Sequence, residues 1–332
     1  MRTRVRRAAL WLIVALFVPA AAHPYAAATV VVAPAAKPAE IGIQLTAVGG
    51  LYWFEGVRKR YFTPAVMHDI HDNLHASFVR IGWFPNDLHL ERIPWRREDE
   101  ALDTICSAGL RVLFLIPSPK DDPKGTSDDL HSTGAFLDRY THREFGCIEY
   151  AEVGNESDLP ANGFSSVDQY ATFYEAMAPI VASYGVKVIT TGTSGENVPW
   201  TQRLAALLRS GNPAPALDGF GFHPYGVEPS EMAAATLAVR QAAGAFGTNP
   251  LPDVYVTEMG EHRADDLYRA IVALAPVTPI VTIYEYLPRA NEDAGYAIKS
   301  NPQLYDAVVR AWTTLHAQAS RSEVNGSVAV RR

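Results

Sequence analysis

The feature that most constrains the fold is a set of eight apolar, strand-like segments that alternate with amphipathic segments of helical pattern. The apolar segments begin at Ile41, Ser77, Leu110, Cys147, Val186, Leu217, Asp253 and Thr278. They are nearly continuous in apolar residues, which is typical of parallel strands buried on both faces. Eight such units in a chain of 332 residues predict one α/β domain, a single (β/α)₈ TIM barrel, whose usual size is about 250 residues.

A doubly wound open sheet is the main alternative for this pattern. Its dinucleotide-binding form needs a glycine-rich turn with G-x-G-x-x-G spacing after the first strand. The first predicted strand runs into LTAVGGLYW, which lacks that spacing. The two cysteines of the chain cannot build a structural zinc site alone. We therefore expect no cofactor and no metal.

The N-terminus has the organisation of a signal peptide. MRTRVRR is a basic segment, AALWLIVALFV is a short apolar core, and PAAAHPYAAA offers small-residue cleavage sites after Ala22 or Ala28. The core is too short for a bilayer span of about 20 residues, and a retained signal anchor is the alternative. We expect a signal peptide over 1–28, export to a secreted or periplasmic location, and no membrane contact after cleavage.

The rest of the chain divides by composition into a linker, a barrel domain and a tail. Residues 29–40 are rich in alanine, proline and valine, the barrel is expected over 41–320, and a polar, flexible tail over 321–332. Removing the signal peptide takes away four arginines and no acid, so the formal net charge changes from −7 to 25 − 36 = −11. This acidic balance argues against nucleic acid or an anionic membrane as a partner, and we expect a monomer. Cys106 and Cys147 either pair or remain buried thiols.

The candidate functional residues are polar side chains at the C-terminal ends of the predicted strands, where TIM barrels carry their active sites. These ends supply Arg80 from the second strand, Asn155 and Glu156 from the fourth, His223 and Tyr225 from the sixth, Glu258 from the seventh, and Tyr284, Glu285 and Tyr286 from the eighth. Two carboxylates across a barrel mouth, with arginine and tyrosine between them, are the arrangement that cleaves glycosidic bonds. One carboxyl group protonates the leaving oxygen, and the other attacks the anomeric carbon.

The neighbouring residues support this division of roles. Arg80 and Tyr225 are expected to hold one carboxylate in its ionised form by charge and by a hydrogen bond. Asn155 is expected to contact the sugar hydroxyl next to the anomeric carbon. The charge of Glu258 is expected to raise the pKa of Glu156, so that this group carries the proton.

Four motifs resemble the retaining glycoside hydrolases of clan A: EVGNES on the fourth strand, VTEMG on the seventh, VRIGW on the second and GFHPYG on the sixth. This clan includes the family 5 cellulases and mannanases, the family 39 enzymes and the Asl1-like cell-wall-associated hydrolases, and the resemblance covers Ile41 to Ala317. It implies that Glu156 is the acid/base, Glu258 the nucleophile, Asn155 the contact of the 2-hydroxyl, Arg80 and Tyr225 the supports of the nucleophile, and His223 a residue lining the sugar pocket.

The sequence departs from the family 5 pattern at two strand ends. The third strand ends in LIPSPK, where family 5 enzymes usually carry a histidine. The eighth ends in IYEYLP, where many members of the clan carry a tryptophan. The Tyr-Glu form is closer to the family 39 and Asl1-like members, so the resemblance is to the clan more than to one family within it.

The resemblance implies an exported retaining glycoside hydrolase that cleaves a β-linked polysaccharide or oligosaccharide by double displacement. Trp83 and Tyr286 are further candidates for substrate binding because aromatic rings near strand ends stack on sugar faces, with simple packing as the alternative. The structural alternative for Arg80 is a core ion pair with Glu152, and for His223 a histidine satisfied within the core. A transglycosylase, or a non-catalytic glycan-binding or polysaccharide-export protein on the same barrel, is the rival function, since fold alone does not fix activity.

Overall fold

The structure is a computed structural model that describes residues 38–46, 61–82, 95–116, 118, 126–141, 146–287 and 294–329. Its eight strands pair in parallel, each with the next, and the eighth pairs with the first, so the sheet closes into a barrel. The strands are β1 Glu40–Thr46, β2 Phe78–Gly82, β3 Arg111–Ile116, β4 Ile148–Asn155, β5 Lys187–Ser194, β6 Gly219–His223, β7 Asp253–Met259 and β8 Ile280–Ile283. Each strand begins within two residues of the start of one predicted apolar segment, and the (β/α)₈ prediction is confirmed.

Helices separate the strands along the chain. Within the described residues they are α1 Pro64–His68, α2 Trp95–Ser107, α3 Thr126–Thr141, α4 Val167–Ser183, α5 Val198–Ser210, α6 Met232–Ala243, α7 Ala264–Leu274 and α8 Pro302–Ala329. A π-helical segment, Asp69–Asn73, extends α1, and the short 3₁₀ helices are Pro160–Asn162, Gly244–Phe246, Ala294–Tyr296 and Ile298–Ser300. Most of the segment expected to form a flexible tail over 321–332 continues the helical backbone of α8. None of the helices in the described ranges is long and apolar enough to cross a membrane. The predicted signal peptide lies outside the described residues.

Helix ends follow signals that are legible in the sequence. Thr63 Oγ1 accepts a hydrogen bond from the backbone N–H of Val66 at 3.3 Å, which satisfies a free donor in the first turn of α1. Ser166 Oγ accepts in the same way from the N–H of Gln169 at the start of α4. After α4, Gly185 has φ +73°, the left-handed conformation that ends a helix and that glycine adopts most readily.

Inside the barrel an apolar layer lies below a polar one. The apolar layer comprises Phe78, Leu113, Tyr150, Ile189, Tyr255 and Ile280. Alternate residues of a strand face the same side, so the next inward position on β2, β4 and β7 is two residues further along. Those positions carry Arg80, Glu152 and Thr257, and all three side chains are buried. The barrel is therefore plugged by hydrophobic side chains near its N-terminal end and presents polar groups toward its C-terminal end.

A disulfide joins α2 to the start of β4. Cys106 in α2 and Cys147, the residue before β4, are bonded across a sequence separation of 41 residues. Of the two alternatives left by the sequence, the structure has the paired form. A cross-link of this kind restricts the unfolded chain and typically stabilises a fold by about 2–4 kcal/mol.

Glu98, in the first turn of α2, is a buried carboxyl group. Neither of its oxygens has a hydrogen-bond partner in the described part of the chain. Burial, and after it the charge of Asp99, raises the pKa of Glu98 from 4.5 to about 8. The unfolded chain loses this proton near its ordinary pKa, whereas the folded chain keeps it until about pH 8. The contribution of Glu98 to stability is therefore full below pH 4.5 and declines as the pH rises through this window.

Glu98→Gln should remove this pH dependence, because glutamine does not ionise. We expect the variant to exceed the parent in free energy of unfolding by about 1–4 kcal/mol near pH 9 and to match it near pH 4. Urea unfolding across that pH range measures the difference. Glu100→Gln is the matched control, since Glu100 lies on the same helix and its exposed ion pair with Arg96 contributes little. If the free energy of unfolding changed with pH in the same way in the parent and in Glu98→Gln, the raised pKa of Glu98 would be contradicted.

Candidate active site

Arg80 on β2 is the centre of the polar layer and is 1% exposed. Its Nε donates to Glu152 Oε2 at 2.8 Å, and its Nη1 donates to Glu258 Oε2 at 2.5 Å. The same Nη1 donates to Gln44 Oε1 at 2.6 Å, and Nη2 donates to Asn155 Oδ1 at 2.8 Å. Burial would lower the pKa of Arg80, but the charges of Glu152 and Glu258 raise it above its usual value. The guanidinium thus forms the core ion pair with Glu152 and also holds side chains from two further strands.

Glu258, near the end of β7, has both carboxylate oxygens engaged. Oε2 accepts from Arg80, and Oε1 accepts from the Tyr225 hydroxyl at 3.0 Å. Burial, followed by the charge of Glu258, raises the pKa of Tyr225 well above its usual value, so this hydroxyl stays a donor. Hydrogen bonds to both oxygens fix the orientation of a carboxylate. Glu258 is therefore held in one orientation at the mouth of the barrel.

Glu156 follows β4 at the point where the chain leaves the sheet. Gly154 and Glu156 have φ of +85° and +45°, in the left-handed region. A Cβ at Gly154 would lie 2.6 Å from Ser157 Oγ, so this turn requires glycine there. At Glu156 the conformation costs a non-glycine residue about 1–3 kcal/mol, a strain that is typical of functional positions. The turn leaves the Glu156 side chain 18% exposed, whereas Glu152 on the same strand is fully buried.

The pKa of Glu156 is lowered, and the expectation from the sequence was that it would be raised. Burial acts to raise this pKa, but the hydrogen bond and the charge of His223, the Ser194 hydroxyl and the charge of Arg80 together lower it. The Glu156 Oε1 lies 3.2 Å from His223 Nδ1. The expectation is wrong because it considered the negative charge of Glu258 and left out the neighbouring histidine.

His223, at the end of β6, is fully buried among charged groups. Its Nδ1 faces Glu156, and its Nε2 lies 3.0 Å from Thr257 Oγ1 and 3.4 Å from Glu152 Oε1. Burial would lower the pKa of His223, but the charge of Glu258 and the hydrogen bonds to Glu152 and Glu156 raise it to about 9. The raised pKa favours the protonated form of a ring that lies between two carboxylates.

Six of the predicted site residues belong to one hydrogen-bond network: Arg80, Asn155, Glu156, His223, Tyr225 and Glu258. Tyr286 is not among them. Its side chain is 1% exposed, and its hydroxyl donates to Asp69 Oδ2 at 2.6 Å, an oxygen that also accepts from Lys299. This position corresponds to the packing alternative for Tyr286 and not to a surface for stacking on sugar. Trp83 lies outside the described residues.

Four further residues in the described part of the chain join the network and were not identified from the sequence: Gln44, Gly192, Ser194 and Thr257. Two of them can be recognised once the strand register is known. Gln44 pairs with Arg80 in the register of β1 and β2, and Thr257 has the inward parity of Tyr255. Gly192 cannot be recognised in this way, because its position depends on the ring of His223, which lies 2.2 Å from where a Cβ would be.

The arrangement offers two carboxylates in unlike surroundings. Glu258 is held by a guanidinium and a hydroxyl, and Glu156 is held by an imidazole and is partly exposed. No group of three or more His, Cys, Asp or Glu side chains within the described residues is arranged to hold a metal ion. The chemistry available from these side chains is nucleophilic attack by one carboxylate and proton transfer by the other.

No family model matches the sequence, and no curated protein matches it. Among solved structures, the chain is similar to a GH5-4 broad-specificity endoglucanase from Clostridium longisporum, with a TM-score of 0.61, 12% identity, and coverage of 83% of this chain and 97% of that one. This chain has the fold of solved glycoside hydrolases. An endo-1,4-beta-mannanase from Rhizomucor miehei gives a TM-score of 0.57 at 13% identity, covering 84% of this chain and 95% of that one. A GH30 endoxylanase from Clostridium papyrosolvens gives 0.52 at 13% identity, covering 76% of this chain and 66% of that longer one. At these identities the likeness establishes the fold alone.

Proposed function

We propose that the protein is a retaining glycoside hydrolase that cleaves a β-linked polysaccharide or oligosaccharide by double displacement. The observation that carries the proposal is the pair of carboxylates in one network, with Glu258 held by Arg80 and Tyr225 and with Glu156 paired to His223. The barrel shared with an endoglucanase, a mannanase and an endoxylanase supports it. So does the resemblance of the strand-end motifs to clan A.

In the first step, Glu258 attacks the anomeric carbon and forms a covalent glycosyl-enzyme. Glu156 gives a proton to the departing glycosidic oxygen, so the leaving group departs as a neutral alcohol. In the second step, Glu156 takes a proton from water as that water attacks the anomeric carbon and releases Glu258. Two inversions give overall retention of configuration, and no cofactor takes part.

Asn155 is oriented for a sugar contact by Arg80. Its Oδ1 accepts from Arg80 Nη2 at 2.8 Å, which leaves the Nδ2 hydrogens to donate. We assign these hydrogens to the 2-hydroxyl of the sugar bonded to Glu258, where hydrogen bonding strengthens in the transition state. His223 and Tyr225 support the two carboxylates beneath the sugar.

We also propose that the protein is exported and acts outside the cytoplasm, in a secreted or periplasmic location. The basic and apolar N-terminal segments support export. The disulfide between Cys106 and Cys147 adds to this, because such bonds persist in oxidising compartments and are rare in the cytosol.

A panel of β-linked glucans, mannans and xylans tests the proposed function. We expect at least one of them to be cleaved, and proton NMR of the fresh product should show the β-anomer before mutarotation. A product of inverted configuration would contradict double displacement. Binding of a glycan with no cleavage of any member of the panel would favour the non-catalytic binding protein instead.

A further inference from the structure

The protonation of the His223 ring follows from its hydrogen-bond partners. Thr257 Oγ1 donates to Glu152 Oε1 at 2.9 Å, and a hydroxyl has only one hydrogen to give. Glu152 accepts this bond because it is ionised: burial would raise its pKa, but the charge of Arg80, the hydrogen bond and charge of His223 and the N–H of Gly192 together lower it to about 2. Thr257 Oγ1 can then only accept from His223 Nε2, at 3.0 Å. The Nε2 atom therefore carries a hydrogen.

The other ring nitrogen faces the carboxyl group of Glu156. His223 Nδ1 and Glu156 Oε1 lie 3.2 Å apart. Two acceptors cannot form a hydrogen bond, so one proton lies between these atoms, either on Nδ1 or on Oε1. The geometry thus gives the pair one mobile proton, and the remaining question is which atom holds it.

The surrounding charges favour the ring nitrogen in the free protein. The carboxylate of Glu152 faces His223 from β4, that of Glu156 from just after β4, and that of Glu258 from β7. Just after β6, Tyr225 contributes a ring at 6.4 Å, and from β5 the contact is the uncharged backbone of Gly192. The guanidinium of Arg80 forms ion pairs with Glu152 and Glu258, and its charge helps to lower the pKa of Glu156. A proton on Nδ1 makes the ring a cation surrounded by three carboxylates that attract it, whereas a proton on Oε1 leaves the ring neutral among them.

We propose that His223 is the proton store of the acid/base group: it holds the mobile proton in the free enzyme and passes it to Glu156 for cleavage. The inference rests on the proposed hydrolase function. In the first step, the proton moves from Nδ1 to the Glu156 carboxylate, whose rotation presents it to the glycosidic oxygen as the bond to the anomeric carbon breaks. Neutral His223 keeps its Nε2 hydrogen on Thr257. In the second step, Glu156 takes a proton from the attacking water and returns it to Nδ1, so the cycle conserves protons.

This arrangement accounts for a carboxyl group that is suited to both steps. A lowered pKa at Glu156 would be a disadvantage for an acid that had to hold its own proton. With the proton on His223, the pair retains it until about pH 9, while Glu156 is already the carboxylate that the second step needs. His223 acts through Glu156 and need not touch the substrate.

Nitrogen NMR of protein labelled in its histidine rings measures the proton position and needs no substrate. The signals missing from His223→Gln identify the ring. We expect both nitrogens to be protonated at neutral pH, with a titration at about 9. Glu156→Gln removes the ionised partner and should lower the pKa of His223 by about one unit or more. Glu175→Gln, exposed on α4, should leave it unchanged. A neutral ring at neutral pH would overturn the proposal.

Kinetics on two substrates separate proton storage from packing. An unactivated oligosaccharide needs protonation of its leaving group, whereas an aryl β-glycoside with an acidic phenol does not. In His223→Gln, Glu156 must hold the proton alone, so the basic limb of kcat/KM for the oligosaccharide should move down by about three pH units, with a loss near pH 8 of about 10²-fold. For the aryl glycoside, the loss should stay below about tenfold. Equal losses on both substrates, or an unmoved basic limb, would mean that the ring serves packing alone.

A second pair of variants covers the case in which His223→Gln does not fold. Thr257→Val removes the hydroxyl that accepts from Nε2, while Thr257→Ser keeps it. We expect the basic limb of kcat/KM for the oligosaccharide to shift in Thr257→Val and to stay in place in Thr257→Ser. An unmoved limb in both variants would count against His223 as the proton store. The two proposals also fail differently. If no glycan is cleaved, the hydrolase proposal fails while the NMR titration still reports the proton. If glycans are cleaved and His223 is neutral, only the proton store fails.

Discussion

Glu258→Ala should lower kcat by about 10⁴-fold or more, because without the nucleophile no glycosyl-enzyme forms. The loss should appear on oligosaccharides and on activated aryl glycosides alike, since both depend on the same attack. The variant should still fold, because Arg80 keeps its ion pair with Glu152. Initial rates together with a circular dichroism spectrum separate loss of chemistry from loss of structure.

Azide sharpens the test of Glu258→Ala. The truncated side chain leaves room for a small anion beside Arg80 and Tyr225, the two groups that hold the carboxylate in the parent. Azide or formate should restore part of the turnover, and the glycosyl azide should have inverted configuration because only one displacement has occurred. Glu175→Ala, exposed on α4, is the matched control and should retain parental rates. Parental turnover in Glu258→Ala would exclude Glu258 as the nucleophile.

Glu156→Ala should divide substrates by leaving group. Unactivated glycosides lose the proton donor and should react about 10²–10⁴-fold more slowly. Aryl glycosides with good leaving groups should still form the intermediate, which then breaks down slowly because the base is also missing. A burst of phenol followed by a slow steady state would show this accumulation.

Azide again reports the role of the residue. In Glu156→Ala it should attack the intermediate in place of water, speed its breakdown and give a glycosyl azide of retained configuration. Retained product from Glu156→Ala and inverted product from Glu258→Ala would agree with the proposed roles. The opposite pair of configurations would mean that the two carboxylates have been assigned in reverse.

The fold could be predicted from the sequence because its signals are local and repeated. Each strand is buried on both faces, so its sequence is a nearly continuous run of apolar residues. Few folds contain eight such strands. Asn155 and Glu156 stood out because polar residues abruptly end such a run, and Glu258 stood out for the same reason. The structure brings these three residues into one network with Arg80. Their catalytic roles are proposals that the variants above test.

What the sequence could not give is the part of the site that depends on side-chain direction. The lowered pKa of Glu156 follows from where the His223 ring lies, and that position depends on a missing Cβ at Gly192. Tyr286 follows a strand as the candidate residues do, yet its hydroxyl reaches Asp69 in the segment after α1. Motif spacing reports which strand end carries a residue and not the direction in which its side chain points.

The contacts of Glu152 limit how independently the residues of this site can be substituted. One of its oxygens accepts from Arg80, and the other accepts from Thr257 and from the backbone N–H of Gly192. Arg80 and His223 therefore both lie against the buried carboxylate of Glu152. A substitution on one side changes the electrostatic background for the other, so effects in this network should be epistatic and not additive. We therefore expect the effect of a substitution at Arg80 to depend on which residue is present at position 223, and the reverse.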